Sequence, residues 1–293
     1  MNNAGKIYAT SPLKRSRATK HAVSERLDSL VEIVQEIQPC TVRQVFYQAT
    51  VRDLVEKSES GYGKVQRALV ALRRDGRIPY GFIVDNTRWM RKPRSFDGPR
   101  DALENIAHLY RRNLWLDAEV YVEIWLEKDA LSGVIYPITA GFDVPLMVAR
   151  GYASLSFLAE AAETIRNQGR PTFIYHLGDY DPSGVDAGRN IEKTLRELAP
   201  ESEIHFERLA VNVDQIEMWD LPSRPTKLKD SRALKFGSDT SVELDSIRPE
   251  TLRNIVHNAV ERWIPPRAMD ILRVAEESER IVLLDLAERW GEK

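Results

Sequence analysis

The chain has 293 residues, of which 43% are hydrophobic and 29% charged, and its formal net charge is −2. This composition predicts a soluble globular protein with an ample core, organised in two domains. No stretch approaches the length of a membrane span, so no membrane partner is expected. The single cysteine, Cys40, rules out an internal disulfide and favours a cytoplasmic location, and no Cys/His cluster indicates zinc.

The small net charge hides an asymmetry between the two halves of the chain. Residues 1–112 contain 21 Lys and Arg against 12 Asp and Glu, a net of +9, whereas residues 113–293 contain 21 against 32, a net of −11. A basic half joined to an acidic half is typical of a polyanion-binding module attached to a metal-binding one. A basic face is also often only solvated surface.

The basic half has the pattern of a winged helix-turn-helix domain, predicted over residues 18–100 and preceded by a basic arm without regular structure, residues 1–17. Apolar spacing predicts three helices: one over residues 19–37, a second that begins after Thr41 as its N-cap, and a third over residues 64–74. A short β-hairpin arm is predicted to follow over residues 78–84. The basic residues expected to contact DNA are Lys64, Arg67, Arg73, Arg74, Arg88 and Arg150. The same packing without DNA is the alternative.

The acidic half, residues 118–293, follows a Pro- and Arg-rich linker over residues 91–100 and a linker helix over residues 101–117. This domain boundary is expected to contain a hinge. Strand-like and helix-like runs then alternate, which predicts an α/β fold with a Rossmann-like, doubly wound parallel sheet and two C-terminal helices. The predicted strands are residues 119–126, 145–149, 172–177 and 203–210. No Gly-rich phosphate loop is present, so no ATP site is expected.

Acidic residues follow two of the predicted strands. Glu127 follows the first, and Asp179 and Asp181 follow the third. The carboxyl ends of parallel strands meet at one edge of a sheet, and alternation places residues 179 and 181 on the same side of an extended chain. Carboxylate oxygens suit Mg²⁺, with Mn²⁺ as a substitute, so a metal site is predicted. A simple turn, with Asp179 capping the following helix and Pro182 at its first position, is the alternative.

Tyr47 is the candidate nucleophile of the basic half. At about 100° per residue, it lies roughly 150° from the centre of the apolar face of its helix and is expected to be exposed. Arg43 stands one turn earlier, where its guanidinium is expected to reach the phenol oxygen and favour the phenolate. The alternative is a surface tyrosine that pairs with Arg43 or with a phosphate.

These residues together resemble the A subunit of topoisomerase VI and its meiotic relatives, which combine a winged helix with a TOPRIM domain. The acids Glu127, Asp179 and Asp181 match the TOPRIM pattern, and the segment from Arg43 to Tyr47 is similar to the family's Arg-x-x-Tyr-Tyr, with Phe at position 46. Gly151-Tyr152 is similar to the family's segment after the middle strand, although the Pro that usually follows is Ala here.

The resemblance implies Mg²⁺-dependent cleavage of double-stranded DNA. Tyr47 would form a 5′-phosphotyrosyl link with support from Arg43, metal would be held by Glu127, Asp179 and Asp181, and Lys128 would contact phosphate or point to solvent. It further implies a homodimer that shares its sites between subunits, and a separate B-type ATPase subunit for strand passage. The chain alone is therefore expected to cut DNA without ATP-driven relaxation.

Two other functions remain open at this point. In a TOPRIM nuclease the same acids would activate water, and Tyr47 would only position DNA. In a DNA-binding assembly protein the metal site would be vestigial. A polar segment with Lys227, Asp230 and Arg232 either reaches the active site or is an ordinary surface loop.

Overall fold

The computed structural model describes residues 20–84, 92–226 and 232–291. The predicted basic arm, Arg88, Lys227 and Asp230 lie outside the described residues. None of the described helices combines the length and the apolar character that crossing a bilayer requires.

Three helices form a helical lobe, residues 20–84, with a core of its own: α1 (Lys20–Ile37), α2 (Val42–Val51) and α3 (Glu59–Arg74). Helix α2 begins at the predicted N-cap, because the Thr41 side chain accepts a hydrogen bond from the backbone N–H of Gln44, whose side chain bonds back. Helix α3 begins five residues before the predicted start, since the Ser58 side chain caps it instead.

The hairpin arm predicted for residues 78–84 is wrong. Residues Tyr80–Phe82 form a single 3₁₀ turn, and Ile83 makes an isolated parallel bridge to Cys40. The backbone of Cys40 donates to Phe82 O at 3.1 Å, and Val84 N donates to Cys40 O at 3.0 Å. The segment therefore uses its hydrogen bonds to join the start of α2, and none of the described residues pairs with it as a second arm strand.

The second half contains the predicted parallel sheet. Its strands are β1 (Tyr121–Leu126), β2 (Leu146–Val148), β3 (Thr172–Leu177) and β4 (Ile204–Ala210), in the order β2-β1-β3-β4 with every pair parallel. Strands β1 and β3 lie in the middle and are almost wholly buried, as continuous apolar runs predict for a sheet covered on both faces. The α/β class is thereby confirmed.

Helices cover the sheet and close the chain: α4 (Pro99–Leu109), α5 (Ser132–Gly141), α6 (Leu155–Gln168), α7 (Pro182–Leu198), α8 (Val213–Met218), α9 (Ala233–Phe236), α10 (Pro249–Glu261) and α11 (Ala268–Gly291). One apolar core lies between the sheet and α5 and α10, and another between the sheet and α6 and α7. A two-stranded antiparallel pair that the sequence pattern did not indicate joins β5 (Arg224–Pro225) to β6 (Thr240–Ser241).

The predicted linker helix is docked on the C-terminal helix. Helix α4 lies along α11, and the residues after it continue the contact. The Tyr110 hydroxyl donates to Glu279 at 2.7 Å, and the Arg280 guanidinium donates to the Tyr110 carbonyl at 2.8 Å. These contacts tie α4 to the end of the chain.

Residues 242–246, here called the connecting segment, join the helical lobe to the sheet. Val242 forms a bridge with Tyr180, and Leu244 N donates to the Asp179 carboxylate at 2.8 Å. The next turn, Leu244–Ser246, packs against α2. The two lobes therefore meet at the carboxyl edge of the parallel sheet, where ligands bind in open α/β folds.

Candidate active site

Glu127 stands at the end of the central strand β1. Its Oε2 accepts a hydrogen bond from the backbone N–H of Asp179 at 2.8 Å, so the acidic ends of β1 and β3 are in direct contact. Burial, together with the nearby charges of Asp179 and Asp181, raises the pKa of Glu127 to about 7. All three predicted ligands are therefore close enough to influence one another. Glu127 has no ion-pair partner among the described residues.

Two glycines leave the space that the Glu127 carboxylate occupies. A Cβ on Gly178 would lie 2.6 Å from Glu127 Oε2, and a Cβ on Gly184 would lie 2.9 Å from the same oxygen and 2.4 Å from the backbone oxygen of Asp179. Both glycines have ordinary backbone angles, so space and not conformation requires them here.

We expect Gly184→Ala to destabilise the protein by about 1–3 kcal/mol, because the added methyl group overpacks a site bounded by backbone. Urea denaturation of wild type and variant measures the effect. Gly141→Ala is the matched control, since a Cβ there meets nothing within 4 Å. Equal stability of the Gly184 variant and wild type would contradict the close approach of Glu127.

Lys128 points into the site and not to solvent. Its Nζ lies 2.6 Å from Asp245 Oδ2, 2.9 Å from Asp179 Oδ1 and 3.5 Å from Glu243 Oε2. Burial alone would lower the pKa of Lys128, but the surrounding carboxylates outweigh it and raise that pKa. The lysine is therefore a fixed internal cation between three acids.

Asp179 and Asp181 have different partners. Asp179 Oδ1 accepts from Lys128 and from Leu244 N, whereas Asp181 Oδ1 caps α7 by accepting from Gly184 N at 2.8 Å. Asp181 Oδ2 lies 3.5 Å from the Arg224 guanidinium. The turn interpretation is thereby corrected at one residue, because Asp181 and not Asp179 caps the helix. Asp181 is also a neighbour of the other two acids.

The acidic cluster, defined as Glu127, Asp179, Asp181, Glu243 and Asp245, has the donor chemistry of a hard divalent cation. Asp245 Oδ1 is buried without a hydrogen-bond partner, and Glu127 is unpaired by any described cation. A bound cation would give both the Asp245 oxygen and the Glu127 carboxylate a partner. Within residues 20–84, 92–226 and 232–291, however, no three His, Cys, Asp or Glu residues are already arranged to hold a metal ion. Magnesium binding stays a prediction.

The expected exposure of Tyr47 is wrong. Its side chain is only 5% exposed, because the connecting segment covers the face of α2 that points away from the core of the helical lobe. The helical wheel identified the face of α2 that packs within the helical lobe. A second face of α2 is buried by residues almost 200 positions later in the chain. The Glu243 carboxylate lies beside the phenol in the same pocket. Burial and the charge of Glu243 raise the pKa of Tyr47, so the phenol is protonated in this state.

Arg43 pairs with Glu243 and not with the Tyr47 phenol, which corrects the expected contact. Its Nη1 lies 2.7 Å from Glu243 Oε2, and Arg224 Nη1 lies 2.9 Å from Glu243 Oε1. Burial would raise the pKa of Glu243, but Lys128, Arg43 and Arg224 lower it to about 2. Glu243 is therefore a carboxylate clamped between two guanidinium groups, beside the phenol.

A pocket of about 380 Å³ opens beside Tyr47, which here is called the tyrosine pocket. Besides Tyr47 and Glu243, it is lined by three basic side chains, Arg43, Lys57 and Arg224. Lys57 Nζ lies 5.6 Å from the centre of the Tyr47 ring and donates to the Ser223 carbonyl at 3.0 Å. A second pocket of about 580 Å³ lies on the other side of Arg43 and reaches Lys128 and Asp245.

Sequence reasoning missed Glu243, Asp245, Arg224 and Lys57. The alternation of Glu243 and Asp245 in Val-Glu-Leu-Asp was the one available signal, since residues two apart on an extended segment share a face. Nothing local marks Arg224 or Lys57.

The predicted DNA-contacting residues divide between two places. Lys64, Arg67 and Arg74 are exposed on α3, whereas Arg73 packs over the Tyr80 ring at 4.9 Å and donates to the Tyr80 carbonyl. Arg150 lies after β2 and pairs with Asp129 at 2.7 Å. Arg232 donates to the Tyr152 hydroxyl at 2.7 Å.

No family model matches the chain, and no curated protein matches it.

Proposed function

We propose that this protein cuts double-stranded DNA in a Mg²⁺-dependent reaction in which Tyr47 attacks a backbone phosphate. One observation carries the proposal: the Tyr47 phenol, a pocket lined by three basic side chains and the acidic cluster meet at the carboxyl edge of the sheet. These are the groups that tyrosine transesterification requires, namely a nucleophile, donors for an anionic phosphodiester and oxygen ligands for a metal. A winged helix, a TOPRIM domain and kinship with the topoisomerase VI A subunit belong to the same proposal.

The tyrosine pocket suits a phosphodiester. Arginine guanidinium groups are suited to binding phosphate oxygens, and Arg43 and Arg224 already hold one carboxylate between them, each through one nitrogen. Lys57 adds a third charge on the same wall. The exposed basic residues of α3 lie on the same lobe and would hold the duplex through its phosphates.

The residues of this chain divide the work of the reaction. Arg43 and Arg224 bind the phosphate and orient it toward the Tyr47 oxygen, and burial keeps bulk water from competing with the phenol. Glu127, Asp179 and Asp181 would hold Mg²⁺, which when bound supplies charge stabilisation for the transferring phosphoryl group. Lys128 keeps Asp179 in place and limits repulsion among the acids.

The test is a denaturing gel of the protein with end-labelled duplex DNA and Mg²⁺ or Mn²⁺. We expect the 3′-end label to migrate with the polypeptide, because a 5′-phosphotyrosyl link joins the protein to the fragment on the 3′ side of the break. Cut DNA without any protein-linked label would contradict the transesterase and leave a nuclease. The ends released on the other side should carry a free 3′ hydroxyl.

A TOPRIM nuclease is the second candidate function, and the burial of Tyr47 favours it. A phenol that is 5% exposed and protonated is not poised to attack, whereas carboxylates at a sheet edge would bind metal and activate water without it. The third possibility, a non-catalytic DNA-binding subunit, is favoured by the ion pairs of Lys128, which already neutralise part of the acidic cluster.

We expect the double substitution Asp179→Asn and Asp181→Asn to reduce Mg²⁺-dependent cleavage by at least about 10²-fold, because the metal loses two charged ligands. Duplex binding, measured by fluorescence anisotropy without divalent ions, should be kept or strengthened, since negative charge is removed. Asp186→Asn, on the same helix as the cap but paired with Arg189 and Tyr152, is the control. Absence of cleavage by wild type would favour the non-catalytic subunit.

A partner subunit, a B-type ATPase and a cytoplasmic location are parts of this proposal. The resembled family builds each site from two subunits. In this structure Tyr47 contacts Glu243 of its own chain, and Glu243 contacts Lys128 beside Glu127. A single chain therefore assembles the groups on which the proposed reaction depends.

A further inference from the structure

Glu243 belongs to the acidic cluster but is not one of the three proposed metal ligands, Glu127, Asp179 and Asp181. Its two oxygens are shared between Arg43, on Oε2, and Arg224, on Oε1, and it lies beside the Tyr47 phenol. The same carboxylate lines the tyrosine pocket, where a phosphodiester would have to enter.

A carboxylate between two arginines imitates a bound phosphate. A carboxylate and a phosphate group are both anions. Each presents a pair of oxygens that can accept the two parallel N–H groups of a guanidinium. Glu243 therefore occupies the position in which Arg43 and Arg224 would hold substrate. Incoming phosphate and Glu243 must compete for the two arginines.

We propose that Glu243 is the proton acceptor for Tyr47 and that substrate switches it on by taking Arg43 and Arg224 away from it. This inference rests on the proposed transesterase function. Before substrate binds, Glu243 is neutralised by the arginines and the phenol keeps its proton. After the exchange, Glu243 has lost two counter-charges while it still faces the phenol, and it becomes a better base.

The groups around Glu243 support this order of events. Arg43 and Tyr47 face it from α2, Arg224 from β5, Lys57 from the bend just before α3, and Lys128 from the end of β1. Only Arg43, Lys57 and Arg224 line the tyrosine pocket among these cations. Lys128 stays with Asp179 and Asp245, so Glu243 is not left without any positive neighbour.

The chemical step balances as follows. The O–H bond of Tyr47 breaks and its proton goes to the Glu243 carboxylate, while the phenol oxygen forms a bond to phosphorus. The bond between phosphorus and the 3′ oxygen breaks, and its electron pair leaves with that oxygen, which takes a proton from water. Glu243 then returns its proton to the hydroxide left in solvent. One phosphodiester replaces another, and no oxidant or energy source is needed.

The test compares Glu243→Gln with Glu243→Asp and with the control Glu59→Gln, which removes an exposed acid from the wall of the same pocket. The first readout is binding of a short DNA duplex without divalent ions. Because Gln competes poorly for the arginines, Glu243→Gln should bind about tenfold more tightly than wild type, whereas Glu59→Gln should change binding about twofold or less.

The second readout is the rate of adduct formation against pH. We expect Glu243→Gln to be slower than wild type by about 10²-fold or more, with a rate that keeps rising with pH because hydroxide must remove the proton. Glu243→Asp should restore part of the rate. Thermal melting checks that each variant is folded. A misfolded Glu243→Gln variant would fail to bind DNA, and this result would contradict the tighter binding expected in the first readout.

The outcomes separate the two proposals. If wild type forms the adduct and Glu243→Gln forms it as fast, or binds duplex no more tightly than Glu59→Gln, the role of Glu243 is wrong and the transesterase stands. If wild type cuts without an adduct, the transesterase is wrong and the role of Glu243 falls with it.

Discussion

Tyr47→Phe is expected to abolish the covalent protein–DNA adduct, a loss of at least about 10³-fold in its rate of formation. The substitution removes the one oxygen that the proposed reaction joins to phosphorus, while the ring keeps its packing against Phe46 at 5.5 Å.

The measurement is the denaturing gel with 5′- and 3′-labelled duplex, with duplex binding followed in parallel. Tyr62→Phe is the matched control, since Tyr62 lines the same pocket and its ring centre lies 5.5 Å from the Arg43 guanidinium, while its hydroxyl makes no hydrogen bond within the described residues. It should form the adduct nearly as wild type does. Cleavage that persists in Tyr47→Phe, with free ends, would show hydrolysis instead.

Lys128→Met is expected to lower the free energy of unfolding by about 3–5 kcal/mol at neutral pH, because it leaves buried carboxylates without their cation. Methionine keeps much of the volume, so the effect is electrostatic and not a cavity. Lys193→Met is the control, as Lys193 is exposed and its nearest acid, Glu197, is 3.6 Å away. Its effect should stay within about 0.5 kcal/mol.

The loss in Lys128→Met should depend on pH. Without the lysine, the folded pKa values of Asp179 and Glu243 move up relative to wild type, so the folded variant binds protons more readily. The unfolded chain has the same carboxyl groups in both proteins, so the deficit should be greatest above the folded pKa values of the variant and shrink as the pH falls through them toward the wild-type values, about 2 for Glu243. Urea titrations at pH 8 and pH 4 test this. A deficit that does not change with pH would mean that packing, not charge, is what Lys128 supplies.

The sheet and its acids were predictable because their signals are local. A buried parallel strand reads as a continuous apolar run, and Thr172–Leu177 has the bounds that the sequence indicated. Once the strands are parallel, the meeting of Glu127 with Asp179 follows from topology. The start of α7 was also predictable, since Pro182 stands at its first position, although the cap is Asp181 and not the predicted Asp179.

The environment of Tyr47 was not predictable, because the residues that create it are distant in the chain. The wheel of α2 gives the face that packs within the helical lobe and contains no information about Glu243, which stands 196 positions after Tyr47. Lys128 was ambiguous for the same reason, because two of its three acids, Glu243 and Asp245, lie on the connecting segment. Side-chain partners from a later segment have no periodic signature.

The connecting segment makes the two lobes inseparable for chemistry, although each has a core of its own. A fragment that stopped before Val242 would retain all four strands of the parallel sheet and all three helices of the helical lobe. It would lack the acid that touches the phenol and the backbone donor that steadies Asp179. The connecting segment is short, yet it joins Tyr47 to carboxylates that lie 80 or more positions later in the chain. Without it, the tyrosine and the carboxylates would be two unrelated surfaces and not one centre.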